Sequence, residues 1–121
     1  MKLDRFKKGF RGMEKDLLKI IEHFGVNNQQ RKLQEEVFEL QEIIRDFDFS
    51  KDKFPKQHKI CEKQFKEHIT EEIADVILLL EQFKLHYDIT SEEITNIFWN
   101  KVARTLERIE SGYYEKFNKI D

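Results

Sequence analysis

Four stretches of the chain place apolar residues three and four apart, the spacing of amphipathic helices. The first carries Leu3, Phe6, Phe10, Met13, Leu17, Ile20, Ile21 and Phe24. Gly9 and Gly12 weaken its front, so its firm part is expected over residues 13–24, with Gly25 ending it. The second carries Leu33, Val37, Leu40, Ile44 and Phe47, flanked by Ile43. Asn27 or Asn28 is placed to cap it, and its end is expected near Asp46. The third is the most apolar, with Ile69, Ile73, Val76, Ile77, Leu80 and Phe83 in a stripe and Leu79 at its margin. It begins between Lys59 and Thr70 and ends near His86. The fourth presents Ile94, Phe98, Val102, Leu106 and Ile109 over residues 91–110. Asp88-Ile89-Thr90 makes the turn before it, Thr90 and Glu93 have capping-box spacing, and Gly112 ends it. Residues 47–58 mix Phe47, Phe49 and Phe54 with Asp, Ser and Lys ahead of Pro55, a loop composition whose aromatics would close over a site or, the commoner role, seal the end of a bundle. No strand pattern stands out. The expectation is an all-α fold, an antiparallel bundle of about four helices in one domain over residues 1–121.

Two helices break their own pattern at equivalent places. Glu35-Glu36-Val37-Phe38-Glu39 and Glu71-Glu72-Ile73-Ala74-Asp75 share the form Glu-Glu-x-x-acid. At about 100° per residue, Glu36 and Glu39 lie about 60° apart on one helix face, as do Glu72 and Asp75. Glu36 falls inside the apolar arc between Phe47 and Ile43, and Glu39 just beyond Ile43. Glu72 falls between Phe83 and Leu79, and Asp75 just beyond Leu79. A carboxylate on a core-facing arc is costly unless something compensates it. Four acids that meet need a cation, and hard oxygen ligands suit Mg²⁺ or Mn²⁺. Glu35 and Glu71 point further from the stripes and read as solvated charges.

Composition narrows the classes. The chain is 39% hydrophobic and 38% charged, a mix suited to a small helical domain with a heavily charged surface. A net charge of −2, from 22 basic and 24 acidic residues, argues against bulk electrostatic binding to nucleic acid or membrane. The single cysteine, Cys61, excludes an intrachain disulfide and fits a reducing compartment. The N-terminus leads into no apolar signal region, and the longest apolar run, 73–80, is too short to span a bilayer and is interrupted by Asp75. The expected setting is the cytoplasm.

Beside the apolar face of the fourth helix, Lys101, Arg104 and Arg108 form a basic strip with Asn100 nearby. Such a strip can be a solvated face paired with Glu107 and Glu110. Next to a carboxylate-held cation, Lys101 and Arg104 would instead clamp phosphates. Eleven Phe in a chain of this length exceed what one small bundle buries, which predicts a homo-oligomer.

The segment Gln30-Arg31-Lys32-Leu33-Gln34-Glu35-Glu36-Val37-Phe38-Glu39-Leu40, followed by Glu71-Glu72-Ile73-Ala74-Asp75-Val76, resembles the MazG-like nucleoside triphosphate pyrophosphohydrolases of the all-α NTP pyrophosphatase superfamily. The resemblance covers roughly residues 13–112, and either half of the paired motif alone would be weak. It implies Mg²⁺-dependent hydrolysis of a nucleoside triphosphate to monophosphate and pyrophosphate. It further implies Glu36, Glu39, Glu72 and Asp75 as metal ligands, Glu35 as the acid that orients a ligand or water, and a homodimer or homotetramer. The stretch between Glu39 and Glu72 is longer than in the compact members, so residues 49–65 form either extra helix or a lid. A di-iron bundle would need Glu-x-x-His, and none of His23, His58, His68 or His86 has Glu three residues before it. The competing reading is a non-enzymatic helical interaction or nucleotide-binding module. The preferred base is not legible; Trp99, Phe54 and His86 could stack on one, though packing is the commoner use of such residues.

Overall fold

The computed structural model describes residues 12–115. Leu3, Phe6 and Phe10 of the first apolar stretch, and the tail after Glu115, lie outside the described residues. Four α-helices follow one another: α1 (Glu14–Phe24), α2 (Val26–Lys53), α3 (Pro55–His86) and α4 (Ser91–Glu110). The described residues contain no strand. They divide into two compact units, one ending at Tyr87 and one beginning at Asp88.

The joint between α1 and α2 is a single glycine. Gly25 takes φ 86°, open to glycine at no steric cost, and its N–H donates to the Ile21 carbonyl at 2.8 Å. Its own carbonyl accepts from the Gln29 N–H at 3.1 Å, so α2 starts at once. The expected asparagine cap is therefore absent. Asn28 points backwards, its Nδ2 donating to the Phe24 carbonyl at 2.7 Å and answering an open end of α1.

The second joint corrects the expected loop over 47–58. α2 runs past Asp46 to Lys53, and Phe54 alone separates it from α3, which begins at Pro55. Proline at the first helical position stops nothing, because its missing N–H would have had no partner there. The extra length between the acidic motifs is thus helix.

α2 and α3, about 42 and 48 Å long by their residue counts, fold back on each other. Buried and half-buried positions on α2 fall at Gln29, Leu33, Glu36, Leu40, Ile43, Phe47 and Ser50. On α3 the facing row is His58, Glu62, Phe65, Ile69, Glu72, Val76, Leu79 and Phe83, with Gln82 buried beside it and Cys61, Ile77, Glu81, Lys84 and Leu85 half-buried. Both series alternate steps of three and four, the seam of an antiparallel coiled coil. Phe47 meets Phe65 near the turn and Gln29 meets Gln82 at the open end. α1 packs on the open half and buries Leu17 and Ile21. The seam is rotated from the expected stripes, since Val37, Ile44, Ile73 and Leu80 are exposed while Glu36, Ile43, Glu72 and Leu79 are buried. Glutamate and glutamine occupy positions that hydropathy alone would give to the larger aliphatics.

In the second unit, the Thr90 hydroxyl accepts the Glu93 N–H at 3.1 Å and starts α4, as the capping spacing predicts. No α4 residue is buried, and Ile94, Phe98, Leu106 and Ile109 are exposed. The Arg108 guanidinium lies 4.8 Å from the centre of the Tyr113 ring just beyond the helix.

Candidate metal centre

Halfway along the seam the two acidic motifs face each other. Glu36 is 5% exposed and Glu72 7% exposed, each at a position where its helix packs against the other. One carboxylate oxygen from each of Glu36, Glu39 and Glu72 lies within 4.8 Å of the other two. Glu39 is exposed at the rim of this triad. Asp75, also exposed, falls outside it, yet it senses the Glu36 charge.

Compensation from the chain is partial. Lys32, one turn before Glu36, places Nζ 2.9 Å from Glu36 Oε1. His68, one turn before Glu72, places Nε2 3.5 Å from Glu72 Oε1. The second oxygen of each buried acid, Glu36 Oε2 and Glu72 Oε2, is buried without a hydrogen-bond partner. A buried anionic oxygen left unpaired is costly, so the arrangement lacks positive charge or donors at this point. The hydrogen bond from Lys32 holds the Glu36 carboxyl below the usual glutamate range against the opposing effect of burial. Burial, and then the neighbouring Glu36, push Glu72 above that range. Asp75 is likewise raised, first by desolvation of its carboxyl and then by Glu36. Glu36 in turn raises the Lys32 ammonium.

The donor set is oxygen, anionic and convergent, and two of its atoms lack partners. That is the environment a hard divalent cation fits, and the Glu36, Glu39 and Glu72 cluster could hold one. Glu35 is exposed, with its carboxylate 4.0 Å from Lys32 Nζ. Asn100, Lys101 and Arg104 belong to the second unit, where all three are exposed on α4. The pairing of Lys32 with Glu36 and of His68 with Glu72 is not part of the sequence expectation, although each base sits four residues before a motif acid, the spacing of a helical ion pair. Gln29 and Gln82 also went unnoticed; both are buried, with Gln29 Nε2 donating to Gln82 Oε1 at 2.8 Å.

No family model matches the chain, and neither a curated protein nor a solved structure does. Among the described residues, no helix is long and apolar enough to cross a membrane.

Proposed function

We propose that the protein is a Mg²⁺-dependent nucleoside triphosphate pyrophosphohydrolase, with Mn²⁺ as an alternative cation, that releases pyrophosphate and a nucleoside monophosphate. The observation that supports this reading is the pair of buried glutamates, Glu36 and Glu72, each with an unpartnered oxygen beside Glu39. Replacing buried charges by well-packed apolar residues is often neutral or stabilising, so helix packing alone gives no reason for two glutamates here. Glu36, Glu39 and Glu72 would hold the cation, with Asp75 as a fourth ligand. A bound divalent ion supplies neutralisation of phosphate oxygens and a more acidic water. Glu35, adjacent to Glu36 but turned outward, is suited to orient an attacking water and accept its proton. Lys101, Arg104 and Asn100 are the candidate phosphate-binding residues of the second unit.

The test is a panel of ribo- and deoxyribonucleoside triphosphates assayed for pyrophosphate release with and without Mg²⁺. Release from at least one, dependent on Mg²⁺, is expected. Lys101→Ala and Arg104→Ala should weaken turnover with unchanged melting, and unchanged kinetics in both would return the strip to a solvated face. If no nucleotide is cleaved while Mg²⁺ still raises the melting temperature, the protein is a cation-dependent binding module. If Mg²⁺ neither supports turnover nor shifts melting, the acids are not a metal site.

Assembly belongs to the same proposal. Val37, Phe38, Ile44, Ile73 and Leu80 stand exposed on the first unit, and α4 carries an exposed apolar row of its own. We propose that further copies of the chain cover these faces in a homodimer or homotetramer. A monomeric mass by light scattering at micromolar concentration would remove this part.

A further inference from the structure

A cleft of about 720 Å³ opens between α1, α2 and α3, and Glu36 and Asp75 form one end of it. The cleft follows both long helices away from the acids. Gln29 lies seven residues before Glu36 on α2, and Gln82 lies seven after Asp75 on α3. Seven residues of helix rise about 10.5 Å, so acids and amides mark opposite ends of the same cleft. That span is comparable to the separation between the phosphate of a nucleotide and the far edge of its base.

The amide end is built. Gln82 is 1% exposed and Gln29 7% exposed. Gln29 Nε2 donates to Gln82 Oε1 at 2.8 Å, and Gln82 Nε2 donates to the Leu78 carbonyl at 3.1 Å. This relay fixes both amides in orientation, anchored on the helix backbone. It uses one N–H of each amide and the Gln82 carbonyl, while the Gln29 carbonyl takes no part. Beside the amides, Phe24 and Leu78 line the cleft with about half of each side chain exposed. A buried glutamine pair alone can set the register of two helices. It does not require an adjacent cleft with a half-exposed aromatic ring and aliphatic wall. Fixed amide groups beside apolar walls, with Glu36 of the candidate cation site and Asp75 at the far end, match a flat, neutral heteroaromatic ring joined to an anionic chain.

We propose that this cleft binds the nucleoside part of the substrate, with the base at Gln29 and Gln82 against Phe24 and the phosphates toward the acids. The proposal rests on the pyrophosphohydrolase reading for its substrate, but the nucleoside should bind without catalysis or metal. The acid end of the cleft carries Glu35, Glu36 and Asp75 against Arg31 and Lys32, and Lys32 is already paired with Glu36, so the lining is net negative and repels phosphate when no cation is present. In EDTA an uncharged nucleoside therefore binds better than its own triphosphate, and Mg²⁺ reverses that order.

The experiment is ligand-detected NMR titration of the whole chain with adenosine, guanosine, cytidine, uridine and thymidine in EDTA. At least one nucleoside is expected to bind. Phe24→Ala, a change at a half-exposed position, should weaken it about tenfold through lost stacking. Gln29→Leu, checked for its helical melt, should abolish it. Binding by none of the five, or equal binding by the parent and Phe24→Ala, overturns the proposal. Pyrophosphate release is followed on the same samples. Turnover without nucleoside binding sinks the cleft alone, whereas nucleoside binding without turnover of any triphosphate supports the cleft and sinks the enzyme.

Discussion

Near the turn of the hairpin, Phe47 stands edge-on to His58 at 4.5 Å and to Phe65 at 5.9 Å, and His58 Nδ1 sits 3.1 Å from the Ser50 hydroxyl. Three turns away on the same seam, Glu36 faces Glu72 with an unpartnered oxygen on each. Both places bury polar atoms, and His58 Nε2 is also without a partner. The His58 ring fills space among aromatic faces, whereas a buried carboxylate oxygen brings no such packing to offset the cost of its burial. The turn half keeps the demands of a helix seam and stabilises it. The acidic half violates them, and the violation is what marks it as a site.

The largest effect that would sharpen this contrast comes from Glu72→Gln, which keeps shape and removes charge. It should abolish Mg²⁺-dependent pyrophosphate release, while the metal-free variant melts no lower than the parent and gains less from added Mg²⁺. Unfolding of the metal-free variant with activity spared would erase the contrast and make Glu72 a structural partner. Phe65→Ala should do the reverse. A half-buried ring lost from the turn costs about 3 kcal/mol by urea denaturation, at the low end for such truncations, with the folded fraction still active. Loss of activity beyond the loss of folded protein would show that the two halves are not separable.

A smaller effect is expected with pH. The carboxyl of Glu72 is raised in the folded state, so its stabilising contribution is fully present below the unfolded glutamate value of about 4.3. That contribution is lost as pH rises through the higher folded value. Glu36, lowered by Lys32, contributes in the opposite direction and loses its share on acidification. Comparing metal-free parent with Glu72→Gln removes the Glu72 contribution together with its coupling to Glu36. From about pH 4.3 upward the parent should lose stability relative to the variant, and parallel curves would deny the burial of that charge. The smallest effect is Ser50→Ala, which removes the partner of His58 at a cost of about 1 kcal/mol and leaves turnover unchanged.

What the sequence showed depended on how local the cause was. The end of α1 at Gly25 and the start of α4 at Thr90 were legible because one glycine and one hydroxyl decide them. The intrusion of Glu36 and Glu72 into apolar arcs was legible too, because helical periodicity fixes the angle between neighbours. The turn was misread because Pro55 reads as a breaker until the preceding residue is known to end a helix. The exact seam was also missed. Choosing the most apolar residues favoured Val37, Ile44 and Leu80, whereas packing selected a row through Gln29, Glu36 and Ile43. Following the alternating three-and-four spacing through polar residues would have recovered it. The Gln29–Gln82 hydrogen bond joins positions 53 residues apart, and hydropathy carries no trace of such a pairing.

The joint at Phe54 has a consequence for how the chain acquires this structure. With one residue between two long helices, contacts lengthen in order along the seam, from Ser50 with His58, 8 residues apart, to Gln29 with Gln82, 53 apart. Closing short loops first leaves little entropy to be lost at each later step, so we expect folding to proceed as a zipper from the aromatic turn toward the amides. The carboxylates then form a barrier partway along the path. Changes at Phe47 or Phe65 should slow folding, whereas changes at Gln29 or Gln82 should mainly speed unfolding. Stopped-flow refolding of the two sets would separate them, and a divalent cation should act on the half of the zipper that closes after the acids meet.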